Sequence, residues 1–192
     1  MTKKRRKVKT TVSVSFEGKR ELSFFEYLCD LFYNDKTRHI NVDDKFGGDS
    51  DSIVERAIKK SSYDKSFAWF DEDVKLSPEV RESLEDCWRQ KFDASVPDKD
   101  LQKTYNTENR NPILIVSNPR AFEGLILSLF NIRLDKSADT KKYKNAFDGH
   151  TKCGGDLEKE KDFYKKNLPK EKLENSNNDT IALILSIFKD SE

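Results

Sequence analysis

Residues 10–16, TTVSVSF, alternate polar and apolar side chains and are rich in β-branched residues, which predicts a strand. After a tight EG turn the period changes. Leu22, Phe25, Leu28, Cys29 and Phe32 fall at helical spacing within ELSFFEYLCDLFYN. HINV predicts a short second strand near residues 40–43, and Gly47, Gly48 and Asp49 then supply a turn and an N-cap for the helix SIVERAIKKSS. SFAWF predicts a third strand over residues 66–71. Ser77 and Pro78 open the helix PEVRESLEDCWRQKF, with serine as N-cap and proline at the first helical position. Residues 112–117, PILIVS, hold four consecutive apolar side chains, the pattern of a buried strand, and run through NPR into the apolar helix AFEGLILSLFNIRL.

Four strand–helix units in succession predict an α/β fold: a mostly parallel sheet of about four strands flanked by helices on both faces. The polar stretch 95–111 reads as a long loop before the fourth strand. After residue 134 the chain turns polar, with short helices expected around Tyr143 and Phe163, and DTIALILSIFKD predicts a last amphipathic helix. The organisation is therefore a basic stub over 1–9, an α/β core over 10–134, and a helical polar C-terminal extension over 135–192 packed on that core.

Composition narrows the classes. At 192 residues the chain suits one domain, and its 11% aromatic content argues against wholesale disorder although 37% of residues are charged. Lys3, Lys4, Arg5, Arg6, Lys7 and Lys9 supply six of the 36 basic residues, leaving 30 against 35 acids in the remainder. An acidic body with a basic tip does not hold nucleic acid by bulk charge, so any such contact must be local. KKRRKVK reads either as a nucleic-acid or nuclear-targeting patch or as a charged stub before the first strand. Cys29, Cys87 and Cys153 are odd in number and lack CxxC spacing, so neither a disulfide framework nor a zinc site is expected, and a cytoplasmic location fits. No run approaches the roughly 18 apolar residues of a membrane span.

The candidate chemistry lies in the carboxylates. AWFDEDV carries an apolar strand straight into Asp71, Glu72 and Asp73. Strand alternation points Asp71 and Asp73 to one side and Glu72 to the other. A solvated acidic loop is one reading of this run, and a cation held between the two aspartates is the other. In an open parallel sheet ligands bind at the carboxyl ends of the strands. Glu17 follows the first strand, Asp71 and Asp73 the third, and Ser117, Asn118 and Glu123 the fourth. With the first and third strands adjacent, Glu17 and both aspartates would face one crevice, and an all-oxygen cluster suits Mg²⁺ or Mn²⁺ better than zinc. Gly18 would let the backbone come close.

Three blocks, FEGKRELSFFEYL, AWFDEDV and LIVSNPRAFEGLILSLF, resemble the signature blocks of RloB-like proteins, a branch of the Toprim nucleases that includes components of phage abortive-infection systems. The closing DTIALILSIF also resembles that family's last helix. Glu21 follows Glu17 by four residues where the family has about five, and Arg120-Ala121 stands before Phe122 where one residue is usual. The resemblance implies a Toprim-like fold with the first and third strands adjacent. It also implies Glu17 as the first-strand glutamate, Asp71 with Asp73 as the DxD pair, divalent metal, a DNA or RNA substrate, and an ABC-type or AAA ATPase partner.

Such an arrangement serves metal-assisted phosphodiester hydrolysis, with Glu17, Asp71 and Asp73 as metal ligands. Glu21 or Glu123 would complete a second site, or Glu21 is only structural. Lys19, Arg20, Lys75, Arg120 and Lys144 are candidate phosphate contacts or, taken singly, solvated surface charges. His39 and His150 are too few for a histidine metal site, and FGGD lacks the Lys-Ser/Thr of a phosphate-binding loop. The expectation is a metal-dependent nuclease effector of a prokaryotic anti-phage system, possible as a homo-oligomer. The alternative is a non-catalytic module that docks on an ATPase and uses the acidic crevice for recognition.

Overall fold

The computed structural model describes residues 9–43, 49–60, 62–72, 75–88, 112–135 and 137–189. The stub before Lys9, the Gly47-Gly48 turn, Asp73 and the 95–111 stretch lie outside the described residues. Four strands form: β1 (Thr10–Phe16), β2 (Arg38–Val42), β3 (Lys65–Asp71) and β4 (Pro112–Ser117). They pair in parallel throughout, in the order β2-β1-β3-β4, so β1 and β3 are neighbours. The helices are α1 (Lys19–Phe32), α2 (Ser50–Lys59), α3 (Pro78–Trp88), α4 (Phe122–Leu129), α5 (Thr140–Thr151), α6 (Leu157–Asn167), α7 (Lys170–Glu174) and α8 (Asp179–Ser186).

Strand alternation divides the core in two. Val12, Val14, Phe16, Phe67, Trp69, Ile113 and Ile115 face a thick layer built on α1, α4, α5, α6 and α8, where Phe24, Phe25, Phe122, Phe147 and Tyr164 are buried. Ala68, Phe70, Leu114 and Val116 face a thinner aliphatic layer from α2 and α3. Trp69 is a core residue whose indole N–H donates to Ser117 Oγ at 2.8 Å. The helix starts follow their caps: Asp49 accepts the Ser52 N–H, Ser77 the Val80 N–H, Asp139 the Lys142 N–H and Asn178 the Ile181 N–H.

One helix is shorter than its apolar pattern implies. The sequence reading ran it from 121 to 134, but α4 stops at Leu129 because Asn131 takes a left-handed φ of 58°. Ile132 N–H then bonds to Leu127 O at 3.1 Å and Asn131 N–H to Ser128 O at 3.0 Å, the paired closure of a Schellman terminus. The C-terminal helices belong to the main core. Tyr164, Leu168, Leu173, Ile181 and Ile184 are buried with the sheet residues, the Tyr27 hydroxyl donates to Leu168 O, and Arg38 donates to Ile187 O. Thr180 Oγ donates to Val116 O at 3.2 Å, fixing α8 against β4. No described helix is long and apolar enough to cross a membrane.

Candidate functional site

Because β1 and β3 run side by side in parallel, their carboxyl ends finish together. Glu17 N–H extends the ladder by bonding to Trp69 O at 3.1 Å, and Glu17 Oε2 accepts the Asp71 N–H at 2.9 Å. Asp71 is buried, and its Oδ1 accepts the Phe122 N–H at 2.8 Å. The local N-cap of α4, Ala121, has no side-chain acceptor. Asp71 therefore caps α4 from the neighbouring strand, satisfying one of the amides a helix start leaves open. Glu72 Oε2 accepts the Arg120 N–H at 2.9 Å. Two consecutive acids of the 71–73 run thus hold the turn that follows β4, and Glu72 points to a different place from Asp71.

Glu21, in the first turn of α1, joins this group. Its carboxylate folds back over the helix start, so a Cβ at Gly18 would stand 2.8 Å from Glu21 Oε2 and would require that carboxylate to shift. Burial raises the Glu21 pKa to about 7, reinforced by the charges of Glu17 and Glu123 and opposed by its own backbone N–H and by Lys144. Asp71 is raised further, to about 9, first by burial and then by Glu21, Glu17 and Glu123, against the hydrogen bond from Phe122. Desolvation, more than the crowding of like charge, is the cause in both. A cleft of about 670 Å³ opens onto these residues, with Lys19, Lys144 and Asp148 also on its walls.

The other side of the cleft is built around Arg20. Its Nη1 lies 2.7 Å from Glu123 Oε1, its Nη2 2.8 Å from Asp148 Oδ1, and its Nε 3.1 Å from Glu160 Oε1. The guanidinium also rests 5.0 Å from the centre of the Phe147 ring. A planar five-donor fork suits such multiple engagement, which a lysine could not reproduce. Glu160 is fully buried, and that burial raises its pKa to about 7 despite Arg20. Arg20, read from the sequence as a phosphate contact, is thus committed to three carboxylates of the chain.

Of the other candidates, Lys19 and Lys144 are exposed on the cleft, Lys75 is exposed and not on its wall, and Arg120 lines a second cavity described below. Glu123 stands with Arg20, and Asp73 lies outside the described residues. Sequence reasoning missed Asp148 and Glu160. A signal for Glu160 existed: Leu157, Glu160 and Tyr164 share one face of α6 at i, i+3 and i+7, which puts the glutamate on the buried stripe. Asp148 has no comparable local sign.

Among the described residues, no three carboxylate, imidazole or thiol groups already converge as a ready-made cation shell. The donor set of Glu17, Glu21 and Asp71 is nonetheless all oxygen, and burial first, then neighbouring carboxylates, raise the proton affinities of Glu21 and Asp71, so a bound cation would have to replace those protons. In kind, these residues fit a hard divalent ion such as Mg²⁺ or Mn²⁺. Fold and cleft together define an α/β protein with a carboxylate-lined crevice at the carboxyl ends of a parallel sheet. Comparisons of the chain with protein-family models, with curated proteins and with solved structures find no match.

Proposed function

We propose that the protein is a metal-dependent nuclease of the Toprim type. It would act as a cytoplasmic anti-phage effector that hydrolyses phosphodiester bonds with an ATPase partner, as the resemblance to RloB-like proteins implies. The observation that carries this reading is the Glu17 carboxylate set against Asp71 at the ends of adjacent parallel strands, with Glu21 beside them.

Mg²⁺ or Mn²⁺ held by Glu17 and Asp71, with Asp73 as the expected third ligand, would neutralise charge on the scissile phosphate and acidify a bound water. The surroundings of each residue assign its part. Asp71 keeps Oδ1 on the Phe122 amide, so Oδ2 is the atom that must give up a proton before the carboxylate can act as a ligand. Glu21 beside it, raised to about 7, can take up or release a proton near neutral pH. Glu123 is pinned by Arg20 and keeps a fixed place, while Lys19 and Lys144 on the rim meet an incoming phosphate. The acid excess of the chain beyond its basic tip calls for a partner that supplies basic surface.

The test is cleavage of DNA and RNA substrates by the chain, alone and with its partner, in Mn²⁺ and in EDTA. Asp71→Asn and Glu17→Gln keep the hydrogen-bond acceptors and should lower Mn²⁺-dependent cleavage by roughly 100-fold while the fold survives. Full activity in both variants would falsify the reading. A second reading is favoured by one observation: Asp71 and Glu72 both accept backbone amides of the 118–122 turn, which is a structural use of acids. On that reading the chain is a non-catalytic module docking on an ATPase, and Mn²⁺ would leave the melting temperature of the wild type unchanged.

A further inference from the structure

A second cavity, also of about 670 Å³, opens on the other side of the same strand ends. Three segments line both cavities with neighbouring residues. Asp71 faces the carboxylate cleft and Glu72 the second cavity; Phe122 faces the cleft and Arg120 the cavity; Lys144 faces the cleft and Tyr143 the cavity. The charges differ in sign. The cleft wall carries Glu17, Glu21, Asp71, Glu123 and Asp148 against Lys19, Arg20 and Lys144, whereas the cavity carries Arg120 and Arg133 against Glu72 alone. Ile132, Leu134 and Tyr143 give it an apolar side.

Arg120 is the telling residue. Its φ of 65° lies in the left-handed region, where glycine or asparagine is the easier choice. The conformation is held by the Arg120 N–H bonded to Glu72 Oε2. A non-glycine residue in this region carries a backbone cost, and such outliers cluster at ligand-binding sites. Guanidinium groups bind phosphate with two donors at once. The volume falls within the range of about 300–1,000 Å³ usual for small-ligand sites.

We propose that this cavity takes the nucleotide next to the scissile phosphate, with Arg120 and Arg133 on its phosphate and its base against the Ile132–Leu134 side. On the nuclease reading the cleft takes the scissile phosphate through a divalent cation, so an adjoining arginine cavity is placed for the next anionic group along the same strand. The assignment rests on the nuclease reading for the role of the cleft, but its own test does not need cleavage.

The experiment measures fluorescence anisotropy of short single-stranded DNA and RNA oligonucleotides on the full chain in EDTA, across a salt series starting low. Arg120→Gly removes the guanidinium and relieves the backbone, so its melting temperature should hold or rise. Arg133→Ala supplies an independent change. Each should weaken binding by about tenfold and reduce the slope of log affinity against log salt by about 0.7. Unchanged affinity and slope in both variants would overturn the proposal, as would an absence of oligonucleotide binding in the wild type at low salt. Adenosine monophosphate competing as tightly as the oligonucleotide would also overturn it, because the cavity would then take a free nucleotide. Cleavage by Asp71→Asn, run in parallel with Mn²⁺, reports on the nuclease reading separately. Lost cleavage with unchanged arginine variants leaves that reading standing without the subsite. Retained cleavage with weakened arginine variants does the reverse.

Discussion

The two sides of the carboxylate cleft meet the same problem in opposite ways. Around Arg20, three buried or half-buried carboxylates from α4, α5 and α6 share one guanidinium of the chain. At the strand ends, Glu17, Glu21 and Asp71 gather with Lys144 as an opposing cation at the rim, and the proton affinities of Glu21 and Asp71 stay raised. The first group is offset in part by covalently tethered charge, with Glu160 still raised to about 7, whereas the second is met chiefly by protons, Asp71 most of all. A proton can be exchanged for another cation, whereas a tethered arginine cannot, so chemistry is expected on the strand-end side and support on the other.

The comparison breaks most visibly at Arg20. Arg20→Met leaves Glu123 and Glu160 buried without their cation, and should lower stability by roughly 2–4 kcal/mol, less than a fully buried pair because the arginine is partly exposed. Thermal melts should fall by about 5–15 °C, and a loss under about 1 °C would show that the group does not act as a unit.

Asp71→Asn should act in the opposite direction on the metal-free protein. Asparagine keeps an acceptor for the Phe122 amide and removes a charge that the cleft resists, so stability should rise by roughly 1–3 kcal/mol. Differential scanning fluorimetry checks this, and the stabilisation of the wild type by Mn²⁺ should shrink in the same variant.

The pH profile sets Asp71 apart from the glutamates of both sides. Asp71, Glu21 and Glu160 all bind protons more tightly in the folded chain than at their ordinary values of 3.8 and 4.5. The folded state therefore holds the extra protons, and their contribution is complete below about pH 4 and lost as pH rises through about 7 for the glutamates and about 9 for Asp71. Between pH 5 and pH 8, metal-free stability from these groups should decline, more steeply in the wild type than in Asp71→Asn. Equal slopes would remove Asp71 from the account.

The smallest effect is expected at Glu72. Glu72→Gln retains an acceptor for the Arg120 amide and should change stability by less than about 0.5 kcal/mol, whereas Glu72→Ala should cost about 1 kcal/mol. Matching melts for the two would mean that the hydrogen bond contributes little.

What could be read in the sequence follows from how locally each feature is encoded. The four strands were legible because alternation and continuous apolar runs are properties of a few adjacent residues. The meeting of Glu17 and Asp71 followed from one rule about parallel sheets plus the adjacency of β1 and β3, whereas Glu21 could not be assigned between a second site and a structural role. The Arg20 group was not legible as a unit, since its partners lie 103, 128 and 140 residues away and no local period encodes that distance. Glu160 could have been found on the α6 stripe; Asp148 could not. The end of α4 was misread because asparagine is a weaker stop sign than glycine, though it adopts the left-handed turn almost as readily.

The tie between Arg20 and α6 bears on the order in which the ribosome delivers the parts. β1, β3 and β4, with Glu17, Asp71 and Glu123, emerge long before Asp148, Glu160 and the α8 residues that cover the sheet. A nascent chain thus carries the acids of the cleft without the helices that hold Arg20 in place. A chain that stopped between Leu134 and Asp148 would therefore present the acids of the cleft without Asp148 or Glu160 to engage Arg20.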